Sequence, residues 1–202
     1  ADGYGNRRIA VLDADTGEFK RYWGAYGAKE IVDPTERYRH DPSTPPSRTF
    51  TGPVHCVEPS NDGLLYVCDR SSDRIQIFDH AGNYKSEILI APETGSQGST
   101  WDLDFSRDEA QKYIYLADGQ NQRVYIIERS TMEVLTKFGG GGRQPGLWFA
   151  PHSLATDSKG NIYTTETYEG KRIQKFIYKG IKDIPSMDQG PLWPAGELNK
   201  QS

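Results

Sequence analysis

The chain has 202 residues, with 24 Lys and Arg against 28 Asp and Glu, so its formal net charge at pH 7 is −4. This balance argues against a nucleic-acid or anionic-membrane surface, which requires clustered basic charge. The mean hydropathy of −0.73 and the lack of a long apolar run exclude a membrane-spanning segment. With 12 Tyr, 7 Phe and 4 Trp beside 21 Gly and 12 Pro, the composition favours many short strands over a helix bundle.

A repeated motif organises the chain. Each copy has an acidic residue, a short polar loop, an arginine and a β-branched residue that starts an alternating apolar run. The acidic residues are Asp2, Asp69, Asp118 and Glu166, spaced by 67, 49 and 48 residues. Arg74, Arg123 and Arg172 in the last three copies are expected to pair with the acidic residue of their own copy.

Turn signals before each later copy divide the chain into hairpins. Paired strands are predicted at 53–58 and 64–68, at 101–105 and 113–117, and at 152–156 and 161–165, with further strands near 84–90 and 133–138. Four antiparallel strands per period of about 48 residues form the blade of a β-propeller. Because apolar residues alternate with a spacing of two, a helical solenoid is excluded.

The sequence therefore predicts an all-β chain, a β-propeller segment of about three and a half four-stranded blades over 1–178, followed by a C-terminal tail over 179–202. The first blade has only its outer two strands and the last lacks a clear outer strand. Such a set leaves an exposed edge at each end. The missing blades come either from the rest of a longer chain, which the start within a repeat favours, or from a second copy. Residues 28–50 are predicted to be a Pro-rich loop inserted over one face.

Cys56 and Cys68 are the two cysteines of the chain, too few for a disulfide scaffold. The hairpin turn near residues 61–63 is expected to leave them about two residues out of register. The sequence therefore favours two free, half-buried thiols over a disulfide.

Two histidines occupy the same position of the repeat. His55 and His152 each lie 14 residues before the acidic residue of their copy, and they are two repeat periods apart. In a six-bladed ring two blades make a third of a turn, so a third histidine two blades before His55 would complete a three-histidine zinc site open to substrate. The alternative interpretation is that both are ordinary channel residues.

Strand direction predicts which loops lie beside these histidines. The loop after the second strand of each blade returns to the face where the first strand begins, and these loops carry Tyr4, Arg70, Gln120 and Tyr168. A tyrosine near a metal can act as a base, and an arginine can bind a carboxylate through two hydrogen bonds. Gln120 and Tyr168 are interpreted as plain loop residues.

On these residues the chain resembles the NHL-repeat propellers over most of 1–178, and within them the peptidyl-α-hydroxyglycine α-amidating lyases and their bacterial relatives. The resemblance is carried by Asp2–Ile9, Val54–Val57, Asp69 with Arg70, Arg74–Gln76 and Pro151–Leu154. It implies a six-bladed ring and a zinc ion held by three histidines, two of them His55 and His152. It also implies Tyr4 as the general base and Arg70 as an active-site cation.

The reaction implied by the resemblance splits the N–Cα bond of a peptidyl-α-hydroxyglycine into a peptide amide and glyoxylate. Two positions depart from the family: Ala150 stands where the family has methionine, and Ser153 where it has an aspartate associated with structural calcium. Calcium is therefore not carried over. Relatives of this type are commonly exported, which implies a periplasmic or secreted protein.

Two hypotheses about function follow from the sequence. One is a metal-dependent lyase-like enzyme acting on a small-molecule or peptide substrate. The other is a non-catalytic NHL propeller whose channel face binds a protein or a small ligand.

Overall fold

The computed structural model describes residues 1–30 and 40–181, within which thirteen strands form four antiparallel sheets. We number the sheets as blades 1 to 4 in chain order. Blade 1 has β1 (Ile9–Leu12) and β2 (Phe19–Trp23), and blade 2 has β3 (Val54–Pro59), β4 (Leu64–Asp69), β5 (Arg74–Asp79) and β6 (Tyr84–Leu89). Blade 3 has β7 (Asp102–Phe105), β8 (Tyr113–Asp118), β9 (Arg123–Glu128) and β10 (Glu133–Phe138), and blade 4 has β11 (Pro151–Thr156), β12 (Ile162–Glu166) and β13 (Ile173–Phe176).

This architecture confirms the predicted partial β-propeller. Blades 2 and 3 are complete four-stranded meanders, whereas blade 1 has two strands and blade 4 has three within the described residues. The predicted strands match the observed ones to within one residue at each end. Residues 31–39 of the predicted insert and 182–202 of the predicted tail lie outside the described residues. Across the described ranges, no helix has the length and apolar character needed to cross a membrane.

The apolar core lies between neighbouring blades. Successive residues of a strand point to opposite faces of its sheet, so each blade packs on the blade before it and on the blade after it. Trp23 and Phe78 pack in the cluster between blades 1 and 2, and Ile75 and Leu103 in the cluster between blades 2 and 3. Trp148 lies in the cluster between blades 3 and 4. These clusters fix the blades relative to one another.

The expected pairing of acidic residue and arginine holds in blades 2 and 4. Arg74 is fully buried and binds Asp69 at 2.9 Å. The same guanidinium donates to the carbonyl oxygens of Ser47 at 2.8 Å and Thr49 at 2.9 Å, and so fastens the end of the insert to blade 2. In blade 4, the Nε atom of Arg172 donates to the Glu166 carboxylate, as the repeat predicts.

In blade 3 the expected pair does not form, and this prediction was wrong. The Asp118 carboxylate accepts hydrogen bonds from the backbone and side-chain nitrogens of Asn121, at 2.8 and 2.7 Å. Arg123 instead donates its Nε–H to the carbonyl oxygen of Asn121 at 3.1 Å. An asparagine within the loop therefore takes the place of the arginine.

Cys56 and Cys68 form a disulfide, so the interpretation as two free thiols was wrong. The backbone of Ser60 donates to the carbonyl of Leu64 and closes a turn of three residues. This turn sets Cys56 directly opposite Cys68 in the β3–β4 pair, with 4.9 Å between their Cα atoms. That separation is within the range that a disulfide bridges without movement of the backbone.

We expect no free thiol in the unfolded, unreduced protein and two after reduction, measured by thiol titration. Replacing both cysteines with alanine is expected to lower the free energy of unfolding by about 2–4 kcal/mol, since the cross-link limits the unfolded chain. Two reactive thiols without reductant would contradict the assignment.

Asp73 is a buried carboxyl at the junction between blades 2 and 3. It has φ +54° at the end of the 3₁₀ turn Arg70–Ser72, and one carboxyl oxygen accepts the Ser99 N–H at 2.7 Å. The other oxygen has no hydrogen-bond partner within residues 1–30 and 40–181. Burial, assisted by the nearby Asp118 and Asp69 carboxylates, raises the pKa of Asp73 to about 7.

We therefore expect Asp73 to make stability fall as the pH rises. Its pKa in the folded protein lies above the ordinary aspartate value of 3.8, so the stabilisation is complete below about pH 4 and is lost as the pH approaches 7. Asparagine suits a left-handed backbone. The free energy of unfolding of Asp73→Asn should therefore equal that of the wild type at pH 4 and exceed it at pH 8 by roughly a few kcal/mol. Urea unfolding at both pH values checks this, with the exposed Asp15→Asn as control. An equal effect of Asp73→Asn at both pH values would contradict it.

Candidate functional site

His55 and His152 meet where the first strands of blades 2 and 4 begin. Their ring centroids are 4.7 Å apart, with an interplanar angle of 64°. Each is the extra residue of a β-bulge, because the β3–β4 register shifts between Val54 and Cys56 and the β11–β12 register shifts on either side of His152. A bulge re-aims the side chain of its extra residue. The bulges therefore account for how two residues 97 positions apart in sequence turn towards each other.

Trp101 occupies the equivalent place in blade 3, and sequence reasoning missed it. Asp102 pairs with Ala117 as Cys56 pairs with Cys68, so Trp101 stands one residue before that pair, as His55 does. Its indole lies 5.7 Å from His55 and 5.5 Å from His152 between ring centroids. The blade 3 hairpin has a longer turn, so a count of 14 residues back from Asp118 does not reach Trp101. Aligning the blades by the residue pairs of their first two strands, instead of by a fixed count, would have identified Trp101.

Burial keeps both imidazoles neutral, and a hydrogen bond fixes the tautomer of His55. His55 Nδ1 lies 2.6 Å from the Trp101 carbonyl oxygen. Since a carbonyl only accepts, Nδ1 carries the hydrogen and the lone pair is on Nε2. Burial is the main reason that the pKa of His55 falls to about 4, and burial followed by the Arg70 charge lowers the pKa of His152. Neutral imidazole is the form that binds a metal or accepts a proton.

Arg70 brings a positive charge to the histidines from the loop after β4. It is buried, and its guanidinium carbon lies 4.6 Å from the centre of the Trp101 ring. One terminal nitrogen donates to the Tyr4 hydroxyl at 3.3 Å, while the buried Nε–H has no hydrogen-bond partner among the residues that the structure describes. A buried guanidinium with an unused N–H is suited to bind an anion.

Tyr4 completes the cluster from the loop of blade 1. A Cβ on Gly3 would lie 1.9 Å from the Val54 carbonyl oxygen, so only glycine allows the chain to pass so close to β3. This close approach brings the Tyr4 ring to 6.0 Å from His55 between ring centroids. Tyr4 remains 74% exposed, so its hydroxyl group lies at the mouth of the site.

Two carboxylates hold the strand that carries His152. Asp102 accepts the Leu154 N–H at 3.0 Å, and Asp104 accepts the Thr156 N–H at 2.7 Å. Both bonds run from β7 to the free edge of β11. Burial raises the pKa of Asp102 to about 6. These bonds position β11, and with it His152, against blade 3.

The structure thus brings together the four residues that the sequence singled out, Tyr4, Arg70, His55 and His152. Their roles in binding or catalysis stay predictions. Of the two further loop residues, Tyr168 donates its hydroxyl hydrogen to the Gln97 side-chain oxygen. Gln120 lies in the turn after β8.

The donor set fits zinc in part. Two neutral imidazoles, one with its Nδ1–H bound to a carbonyl, match two ligands of a three-histidine site. Over residues 1–30 and 40–181, no group of three or more His, Cys, Asp and Glu side chains is placed to hold a metal ion. The described residues therefore supply two of the three ligands that the prediction requires.

The chain matches no established protein family profile. Its fold is similar to the β-propeller domain of Cps50 (Swd1) from Myceliophteria thermophila, with 15% identity and a TM-score of 0.52 over 86% of this chain and 48% of that one. It is also similar to hydrazine synthase from Kuenenia stuttgartiensis, with 13% identity and a TM-score of 0.53 over 87% and 46% of the two chains. A streptogramin B lyase matches with 12% identity and a TM-score of 0.51 over 87% and 49%.

At these identities the similarity shows the propeller fold alone. The chain spans about half the length of each of these solved propellers.

Proposed function

We propose that the protein is a metal-dependent lyase-like enzyme of the NHL-repeat type that acts as the peptidyl-α-hydroxyglycine α-amidating lyases do. One observation supports this proposal above the others: His55, His152, Tyr4 and Arg70 come from three blades and converge on one mouth. Neutral nitrogen ligands, a phenol and an anion-binding cation are the groups that this reaction requires.

His55 through Nε2 and His152 through its ring nitrogen would hold zinc, with the third ligand coming from blades of a longer six-bladed ring or a second copy. A zinc ion bound there supplies Lewis acidity that polarises the substrate hydroxyl oxygen. Burial of the two imidazoles keeps them unprotonated at neutral pH and hence available as ligands.

The other residues account for the proton and the carboxylate. Tyr4 as phenolate takes the proton of the substrate hydroxyl, and the electron pair of the broken O–H bond forms the aldehyde C=O. The N–Cα bond breaks with its electron pair on the amide nitrogen, which takes a proton from solvent. The Arg70 N–H, which donates to the Tyr4 oxygen at 3.3 Å, would stabilise the phenolate form in which that oxygen accepts the proton. The Arg70 guanidinium, beside Trp101 and the Tyr4 hydroxyl, is the cation that binds the carboxylate that leaves as glyoxylate.

We also propose that the protein works outside the cytoplasm. The Cys56–Cys68 disulfide supports this proposal, because such bonds persist in oxidising compartments and are rare where thiols are kept reduced.

The test is release of glyoxylate from an N-acyl-α-hydroxyglycine by protein supplied with zinc. We expect glyoxylate and the amide in equal amounts, faster than the uncatalysed reaction. If the protein gives no rate above that of buffer with zinc, the lyase proposal fails. The non-catalytic propeller, which binds a protein or a small ligand at this face, then replaces it.

A further inference from the structure

Ser153 connects His152 to a carboxylate of the neighbouring blade. The Ser153 Oγ atom lies 3.3 Å from His152 Nδ1. The same hydroxyl group is hydrogen bonded to Asp102, whose carboxylate also accepts the Leu154 N–H at 3.0 Å. Ser153 is half-buried on β11 and directly follows the histidine, so a single hydroxyl group contacts both partners.

The direction of these two hydrogen bonds decides which ring nitrogen of His152 carries the hydrogen. A carboxylate only accepts, so the Ser153 O–H donates to Asp102 and the Ser153 oxygen presents a lone pair to the imidazole. Nδ1 of His152 is then the donor, and Nε2 keeps its lone pair. Nε2 is therefore the ring nitrogen that is available to a metal.

His55 is held in the same way and from the same end of β7. Its Nδ1 is bound by the Trp101 carbonyl oxygen at 2.6 Å, and Trp101 directly precedes Asp102. Two consecutive residues of blade 3 thus act on both imidazoles, although blade 3 itself has no histidine. Histidines that bind metals usually donate their other ring N–H to such an outer partner, which fixes the tautomer and the orientation of the ring.

We propose that Ser153, oriented by Asp102, is a positioning residue that holds the Nδ1–H of His152 and so leaves Nε2 to bind the metal. The inference rests on the proposed function, because it takes His152 as a zinc ligand. The hydrogen bonds form within the protein without metal. The tautomer of His152 is therefore measurable separately from zinc binding and from turnover.

The tautomer of His152 in the metal-free protein is the first readout. Long-range proton–nitrogen NMR spectra of histidine-labelled protein distinguish the protonated ring nitrogen from the one with the lone pair, and His152→Ala assigns the signal. The spectra are recorded at about pH 8, where both imidazoles are neutral and Asp102 is ionised. We expect hydrogen on Nδ1 in the wild type and a shift towards Nε2–H in Ser153→Ala. Hydrogen on Nε2 in the wild type, or an unchanged tautomer in Ser153→Ala, would overturn the inference.

Zinc affinity is the second readout, measured at the same pH by competition with a coloured chelator. We expect Ser153→Ala to raise the zinc dissociation constant at least about tenfold, the usual cost of losing an outer partner of a ligand. Ser153→Thr keeps the hydroxyl group and should keep the wild-type affinity and tautomer. Ser158→Ala is the matched control, because Ser158 is exposed in the turn between β11 and β12 of the same blade. If Ser153→Ala bound zinc as tightly as Ser158→Ala, the inference would fail while the metal site remained.

Asp102→Asn tests whether the carboxylate acts through the serine. The amide nitrogen of asparagine does not accept a hydrogen bond, so the Ser153 hydroxyl loses its fixed direction. We expect this change to weaken zinc binding in the wild type and to weaken it much less in the Ser153→Ala background, since the two residues act on His152 as one unit. An equal loss in both backgrounds would contradict the role of Asp102. The expected tautomers in a protein that binds no zinc would uphold the positioning of His152 and reject the metal-dependent function.

Discussion

His55→Ala is expected to lower kcat/KM for glyoxylate release at least about 100-fold and to remove bound zinc. The imidazole presents its Nε2 lone pair to the site because Nδ1–H is bound to the Trp101 carbonyl at 2.6 Å. Alanine supplies no ligand, and loss of a direct ligand costs more than the 10- to 100-fold, roughly, that loss of an outer contact costs. Steady-state kinetics and elemental analysis of the same preparation measure both effects.

His80→Ala is the matched control for this variant. His80 is exposed in the turn between β5 and β6, and its backbone oxygen accepts a hydrogen bond from the Arg21 side chain. Its removal should leave activity and metal content within about twofold of the wild type. If His55→Ala kept both properties at the level of His80→Ala, His55 would have no role as a ligand.

Arg74→Ala is expected to produce the largest loss of stability, about 3–5 kcal/mol. The guanidinium is fully buried, and its removal leaves the equally buried Asp69 carboxylate without its ion pair. The variant also removes the hydrogen bonds to the carbonyl oxygens of Ser47 and Thr49, which hold the insert. The shift in the urea unfolding curve gives the change in free energy.

Arg123→Ala provides the comparison at the same position of the repeat. Arg123 makes no ion pair with Asp118 within the described chain and bonds only a carbonyl in its own loop. We expect a loss of about 1 kcal/mol or less. Equal destabilisation by Arg74→Ala and Arg123→Ala would show that the buried ion pair is not what distinguishes blade 2.

Most of the fold follows from local sequence. Alternating apolar residues and turn signals predict eight of the thirteen strands to within one residue at each end, because strand period and turn chemistry are properties of short segments. The convergence of Tyr4, Arg70, His55 and His152 also follows from the repeat, since equivalent positions of propeller blades face a common axis. To predict that these four residues converge, only the repeat register and the strand direction are needed.

What the sequence did not predict depends on shifts of a single residue. The three-residue turn sets Cys56 opposite Cys68, and a residue count alone placed them out of register. A longer turn in blade 3 hid Trp101 from the same kind of count. In the loop of that blade, Asn121 competes successfully with Arg123 for the Asp118 carboxylate. Such local competition between side chains is decided by loop geometry, which periodicity does not specify.

Bound metal per chain is the measurement that tests the central claim most directly. The protein is purified without chelator or metal-affinity resin, equilibrated with micromolar zinc, freed of excess metal and analysed for its elements. We expect close to one zinc per chain in the wild type and little in His152→Ala, because the two neutral imidazoles lie together with 4.7 Å between their ring centroids. Wild-type protein that retains no more zinc than His152→Ala would contradict the metal site and with it the proposed enzyme.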